Sequence, residues 1–99
     1  MIKKQFVKSR QCTKLTFELP ADLEADSVYL LADFNDWEPV AFDQLKSGKW
    51  KLVQEVESEK GYQFRYRVVH GDHEHYFNDP DADGVVANDQ GTENAVLKA

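Results

Sequence analysis

Tyr62-Gln63-Phe64-Arg65-Tyr66-Arg67-Val68 is the stretch that decides the fold. Tyr62, Phe64, Tyr66 and Val68 alternate with Gln63, Arg65 and Arg67. Successive side chains of a strand point to opposite faces, so this pattern predicts a half-buried β-strand with its aromatics inward. The same period recurs outward from it. Leu15, Phe17 and Leu19 alternate with Thr16 and Glu18 up to Pro20, and Trp50, Leu52 and Val56 share one parity in 49–56. Val28–Ala32 is a short apolar run suited to a buried strand. His75–Phe77 and Ala95–Leu97 read as short final strands, and Phe6 and Val7 as part of a weak first one.

Turn chemistry separates these runs: Pro20–Asp26, Asn35–Pro39, Ser47-Gly48, Lys60-Gly61, Gly71-Asp72 and Asp79–Gly84. Residues 21–25 could form one helical turn, and no segment sustains a 3.6-residue period. About seven short strands in 99 residues predict an all-β, immunoglobulin-like sandwich. Residues 1–12 read as a basic arm or edge strand, and 13–99 as the sandwich proper.

The net charge of −6 is uneven. Lys3, Lys4, Lys8, Arg10 and Lys14 are unopposed in the first 14 residues, and the remainder holds all 18 acids against seven cations. An acidic body repels phosphate backbones and anionic lipid heads, so nucleic acid and membrane are not expected partners. The basic segment reads either as a solvated arm or edge strand, or as a partner for acids of this domain or of another protein. Cys12 is the only cysteine, so packing and not a disulfide must hold the fold. No stretch has the apolar length of a signal peptide or a membrane span, which points to a soluble, cytoplasmic chain.

Three groups of residues invite a chemical reading. Trp37 sits in a polar turn with Asn35 and Glu38-Pro39, where a large ring either caps the core or binds something. Tyr76 lies close to the turn Asn78-Asp79-Pro80. Sugars present C–H groups on their flat faces, and these pack on aromatic rings. His70, His73 and His75 could suggest zinc, but no cysteine lies near and the run reads as a solvated hairpin. Asp79-Pro80-Asp81-Ala82-Asp83-Gly84 resembles the opening of a calcium loop, yet position 12 is Gln90 where a bidentate Glu is needed. A tight acidic turn is the simpler reading. No phosphate loop or nucleophile elbow is present, and a chain this small offers no obvious cleft for glycoside hydrolysis. The expectation is a non-enzymatic module without metal or cofactor.

Val28-Tyr29-Leu30-Leu31-Ala32-Asp33-Phe34-Asn35-Asp36-Trp37 resembles the strand and Phe-Asn-x-Trp signature of carbohydrate-binding module family 48. That family comprises isoamylase N-terminal (early-set) domains and the glycogen-binding domains of AMP-activated kinase β subunits. Phe64–Val68, Asn78-Asp79-Pro80 and Gly91–Leu97 resemble its aromatic-basic strand, its Asp-Pro turn and its closing strand, in the same order. The resemblance spans about residues 13–97. It implies an early-set immunoglobulin-like fold and binding of α-1,4-glucan such as glycogen, starch or maltooligosaccharide. By position it makes Trp37 the first sugar platform, Arg65 the basic contact and Tyr76 the second platform, with Thr92 and Asn94 bonding sugar hydroxyls. The second platform departs from the Trp of the kinase modules, and Ala32-Asp33 replaces the usual Gly before Phe-Asn. Many members use the domain to pack against an enzyme. A glucan-metabolising enzyme or another protein is therefore a further expected partner, and an interaction module without sugar binding is the competing reading.

Overall fold

Alternation in the sequence becomes two faces of sheet in the computed structural model, which describes residues 2–23, 25–88 and 91–99. Among them are strands β1 (Ile2–Val7), β2 (Cys12–Leu19), β3 (Ser27–Ala32), β4 (Val40–Ala41), β5 (Asp43–Gln44), β6 (Trp50–Glu57), β7 (Gly61–His70), β8 (His73–Phe77), β9 (Gly84–Ala87) and β10 (Glu93–Lys98). One sheet runs β1-β2-β6-β5; the other runs β4-β3-β7-β10-β9, with β8 also on β7. All pairings are antiparallel. The chain crosses between sheets from β2 to β3, from β4 to β5 and from β6 to β7. This is the ABED/CFG order of an immunoglobulin-like sandwich, with β4 added beside β3, β9 beside β10 and β8 along part of β7.

The inward parities pack as predicted. Leu15, Phe17 and Leu19 of β2, Trp50, Leu52 and Val56 of β6, and Phe64, Tyr66 and Val68 of β7 are buried together. Tyr66 is the hub. Its ring lies 5.1–6.3 Å from those of Phe17, Phe42, Phe64 and Phe77, spanning both sheets and β8. Its hydroxyl donates to Asp79 Oδ2 at 2.7 Å. Burial, and then the Asp79 charge, push the phenol well above its ordinary range.

That pair explains the acidic turn. Asp79 is buried, and its Oδ1 also accepts from the Asp81 N–H at 2.8 Å. Asp83 accepts from Lys4 Nζ and from the Lys98 N–H, both at 2.6 Å. These carboxylates brace backbone and sheets; Gln90 lies outside the described residues. In the His run, His70 and His73 are direct cross-strand partners, and His75 opposes Val68. Among the described residues no three His, Cys, Asp or Glu side chains converge as metal ligands.

The basic segment is an edge strand along β2, and its cations meet acids of the same domain: Lys4 with Asp83, Arg10 with Glu55 at 2.6 Å, and Lys3 with Glu18 at 3.7 Å. The Lys4 ammonium and the Lys98 amide hold the Asp83 carboxyl below its ordinary value of 3.8. The unfolded chain therefore takes up this proton first as pH falls. The contribution of Asp83 to stability is present above that value and is lost as pH drops through the depressed one. Asp83→Asn should melt lower than wild type at neutral pH, with the difference shrinking as pH falls below the ordinary carboxyl value and through the depressed one. A constant difference across an acid titration of thermal melts would contradict this.

Three features depart from the sequence reading. β4, β5 and β9 were not expected: two-residue strands show no period, and β9 is exposed at all four positions. The expected helical turn over 21–25 is instead a turn closed by the Leu23 N–H on Pro20 O at 3.3 Å, with Glu24 outside the described residues. The run Val28–Ala32 is not buried throughout, because Tyr29 and Leu31 face outward. No helix among the described residues is long and apolar enough to cross a membrane.

Candidate functional site

The outer face of β7 carries Gln63, Arg65 and Arg67, and along one edge this strand changes partner. β10 pairs with it up to Phe64 (opposite Ala95), and β8 pairs with it from Tyr66 (opposite Phe77). Arg65 sits at the fork. Two strands leaving one edge diverge, and the outer face opens between them.

Trp37 closes the far side of this opening. After β3 the chain makes a 3-10 turn over Asp33–Asn35 and then two left-handed residues, Asp36 (φ 55°) and Trp37 (φ 62°). The Trp37 N–H donates to Ala32 O at 2.9 Å, and Asp33 Oδ2 accepts from the Gln63 N–H at 3.0 Å. These bonds tie the turn to β3 and β7. Asp tolerates a left-handed backbone, but a bulky residue there is an outlier. Such conformations cost about 1–3 kcal/mol and cluster at ligand sites. The strain holds the indole 40% exposed, in place of a core position.

Tyr76, on β8, is 44% exposed. The Arg65 guanidinium carbon lies 4.7 Å from its ring centroid, so one face of the ring is covered. Arg65 and Tyr76 thus form a composite wall rather than a free second platform. Arg65 Nε is buried without a hydrogen-bond partner, and Arg65 makes no ion pair among the described residues.

Asn94 forms the floor on β10, only 8% exposed. Its Nδ2 donates to Gln63 Oε1 at 3.2 Å, and its Oδ1 accepts from Asn88 Nδ2 at 3.1 Å. Thr92 and Asn88 pair through main chain and side chains, with Asn88 Nδ2 2.7 Å from Thr92 Oγ1. Asn94 therefore holds Gln63 and Asn88 in place and keeps one N–H and one lone pair for further bonding.

Together these residues enclose an open cleft of about 810 Å³, within the usual range for small-ligand sites. Trp37, Arg65, Tyr76, Thr92 and Asn94 all line it. So do Leu31, Gln63, Ala87 and Asn88, which sequence reasoning missed. Gln63 could have been found, since it shares the parity of Arg65. Leu31 was hidden in a run read as buried, and Ala87 and Asn88 belong to β9 and its exit. Among the described lining residues Arg65 is the single charged side chain.

An antiparallel immunoglobulin-like sandwich with an aromatic, arginine-bearing cleft on its outer face is the class of protein that fold and site define. No protein-family model matches the sequence, and no curated protein sequence does. Solved structures do match. A pullulanase of Group B Streptococcus superimposes with a TM-score of 0.68 at 19% identity over 87% of this chain. The catalytic module of a multi-modular glycogen-degrading pneumococcal virulence factor does so at 0.63 and 21% over 100%. A pullulanase from Paenibacillus barengoltzii, solved with maltotetraose, does so at 0.61 and 26% over 98%. This chain spans 13%, 16% and 14% of those chains respectively, so it is similar to one small part of each.

Proposed function

We propose that the chain is a non-catalytic binding module for α-1,4-glucan such as glycogen, starch or maltooligosaccharide, of the family 48 type. The observation that carries this reading is the meeting of Trp37, Arg65, Tyr76, Thr92 and Asn94 in one open cleft. Trp37 offers a sugar ring a flat apolar face, and stacking there removes both surfaces from water. The Arg65–Tyr76 wall stands opposite, with the guanidinium donating to ring hydroxyls. Thr92 and Asn94 bond hydroxyls from the floor, helped by Gln63 and Asn88. The likeness to parts of pullulanases and of a glycogen-degrading protein supports the same ligand class.

The non-catalytic part of this reading is supported by size: the chain is similar to 13–16% of pullulanase and glycogen-degrading chains, one small all-β part of each. The whole protein in which such a module acts, and any enzyme it serves, would supply the chemistry.

Titration with maltoheptaose, followed by tryptophan fluorescence and NMR, tests the proposal. Shifts of Trp37, Arg65, Tyr76, Thr92 and Asn94 are expected at micromolar to millimolar affinity. No reducing sugar should be released on prolonged incubation. Because the ligand is neutral, affinity should change little with salt. If saturating ligand moves none of these resonances, the fold serves protein interaction instead.

A further inference from the structure

The outer face of the second sheet does not stop at the cleft. Across β3, β7 and β8, Tyr29, Arg67 and Tyr76 are direct partners in one cross-strand row. The neighbouring row is Leu31 with Arg65. Leu31 and Tyr76 line the cleft, so the Tyr29–Arg67 row begins where the cleft ends. Residues two apart on a strand lie about 6.6 Å apart, which puts Tyr29 one pleat repeat beyond Leu31.

The chemistry of the cleft wall is repeated there. The Arg67 guanidinium carbon lies 5.5 Å from the centroid of the Tyr29 ring, as Arg65 lies over Tyr76. Arg65 lies over Tyr76 of β8, whereas the Arg67 guanidinium sits between the Tyr29 ring on β3 and the Glu74 carboxylate on β8. Glu74 fixes Arg67, its Oε2 accepting from Nε at 3.2 Å and from Nη2 at 2.6 Å. Nη1 makes no hydrogen bond among the described residues, and the side chain is 32% exposed. An exposed ion pair of this kind adds little stability. What it does is hold a planar donor group, backed by an aromatic ring, in one orientation on the face that carries the cleft.

We infer that the Tyr29–Arg67 row is a second contact point for an α-glucan chain, engaged only by chains long enough to run past the cleft. The module then discriminates by length: short oligosaccharides fill the cleft alone, and long ones gain the row as well. This rests on the glucan reading above, because it extends that site.

The test is a comparison of maltotriose with maltoheptaose on wild type, Tyr29→Ala, Arg67→Ala and Trp37→Ala. Wild type should bind maltoheptaose roughly three- to tenfold more tightly than maltotriose, the scale of one or two net hydrogen bonds. Tyr29→Ala and Arg67→Ala should each weaken maltoheptaose binding toward the maltotriose level and leave maltotriose binding unchanged. In wild type, the Arg67 Nε–H and Tyr29 ring resonances should move with maltoheptaose and not with maltotriose, a readout that needs no variant to fold. If these resonances stay still under saturating maltoheptaose while those of Trp37 and Arg65 move, the inference is overturned and the glucan reading stands. If neither sugar moves any resonance of the cleft, both fail.

Discussion

Trp37→Ala should abolish measurable binding of maltoheptaose while leaving the sandwich folded. The indole contributes the largest apolar area in the cleft, is already 40% exposed, and loses little side-chain freedom on binding because its turn is tied to β3 and β7. By analogy with an aromatic platform under a base, the loss should be about 1–3 kcal/mol. Starting from a weak sugar complex, that moves the affinity out of reach. Tyr76→Ala should cost less, because its ring is smaller and one face already carries Arg65. The strained backbone supplies a second readout at the same position. At φ 62° glycine is favoured over any residue with a Cβ, so Trp37→Gly should melt higher than Trp37→Ala, by about 1 kcal/mol in stability. Retained binding in a folded Trp37→Ala variant would remove Trp37 from the site. An alanine variant more stable than the glycine one would deny the left-handed turn.

The other large effect belongs to Tyr66. Its ring is fully buried and meets four other aromatic rings, so Tyr66→Ala should cost about 3–5 kcal/mol. A domain of this size has a total stability on the order of 5–15 kcal/mol, so this variant should melt far below wild type and be largely unfolded at the low end of that range. Tyr66→Phe keeps the packing and removes only the donor to buried Asp79, at a cost of about 1–3 kcal/mol. The raised phenol gives a pH signature. The unfolded chain loses this proton near its ordinary value of 10.0, before the folded chain does. Stability is therefore complete below that pH and falls as pH rises beyond it. Urea titrations of wild type and Tyr66→Phe should converge on the alkaline side. A Tyr66→Phe midpoint equal to wild type at neutral pH would show that the hydroxyl adds nothing.

Much of the architecture was legible because period-2 alternation directly encodes which side of a sheet is dry. β2, β6 and β7 each carry three inward apolar residues at that spacing, and two sheets so patterned can bury them only against each other. Strands of two residues carry no period, which is why β4 and β5 were invisible, and β9 buries nothing that a pattern could record. Leu31 shows the limit from the other side: a continuous apolar run does not say which residues point outward, and register with Arg65 decides it.

The sequence by itself determined the sheet faces, the aromatic content of the core and, through motif resemblance, the five residues now found lining one cleft. It did not contain the cleft. That arises because β10 and β8 share one edge of β7 and part at Arg65, a consequence of pairing between segments far apart in the chain. Tertiary structure likewise turned the calcium-like Asp79 into the buried acceptor of the Tyr66 hydroxyl, and laid Arg65 across a ring that sequence alone presented as free. Local pattern records how a side chain stands to its own strand. Which polar group a buried acid meets, and which face of a ring stays open, depends on contacts that exist only once the sheets have closed.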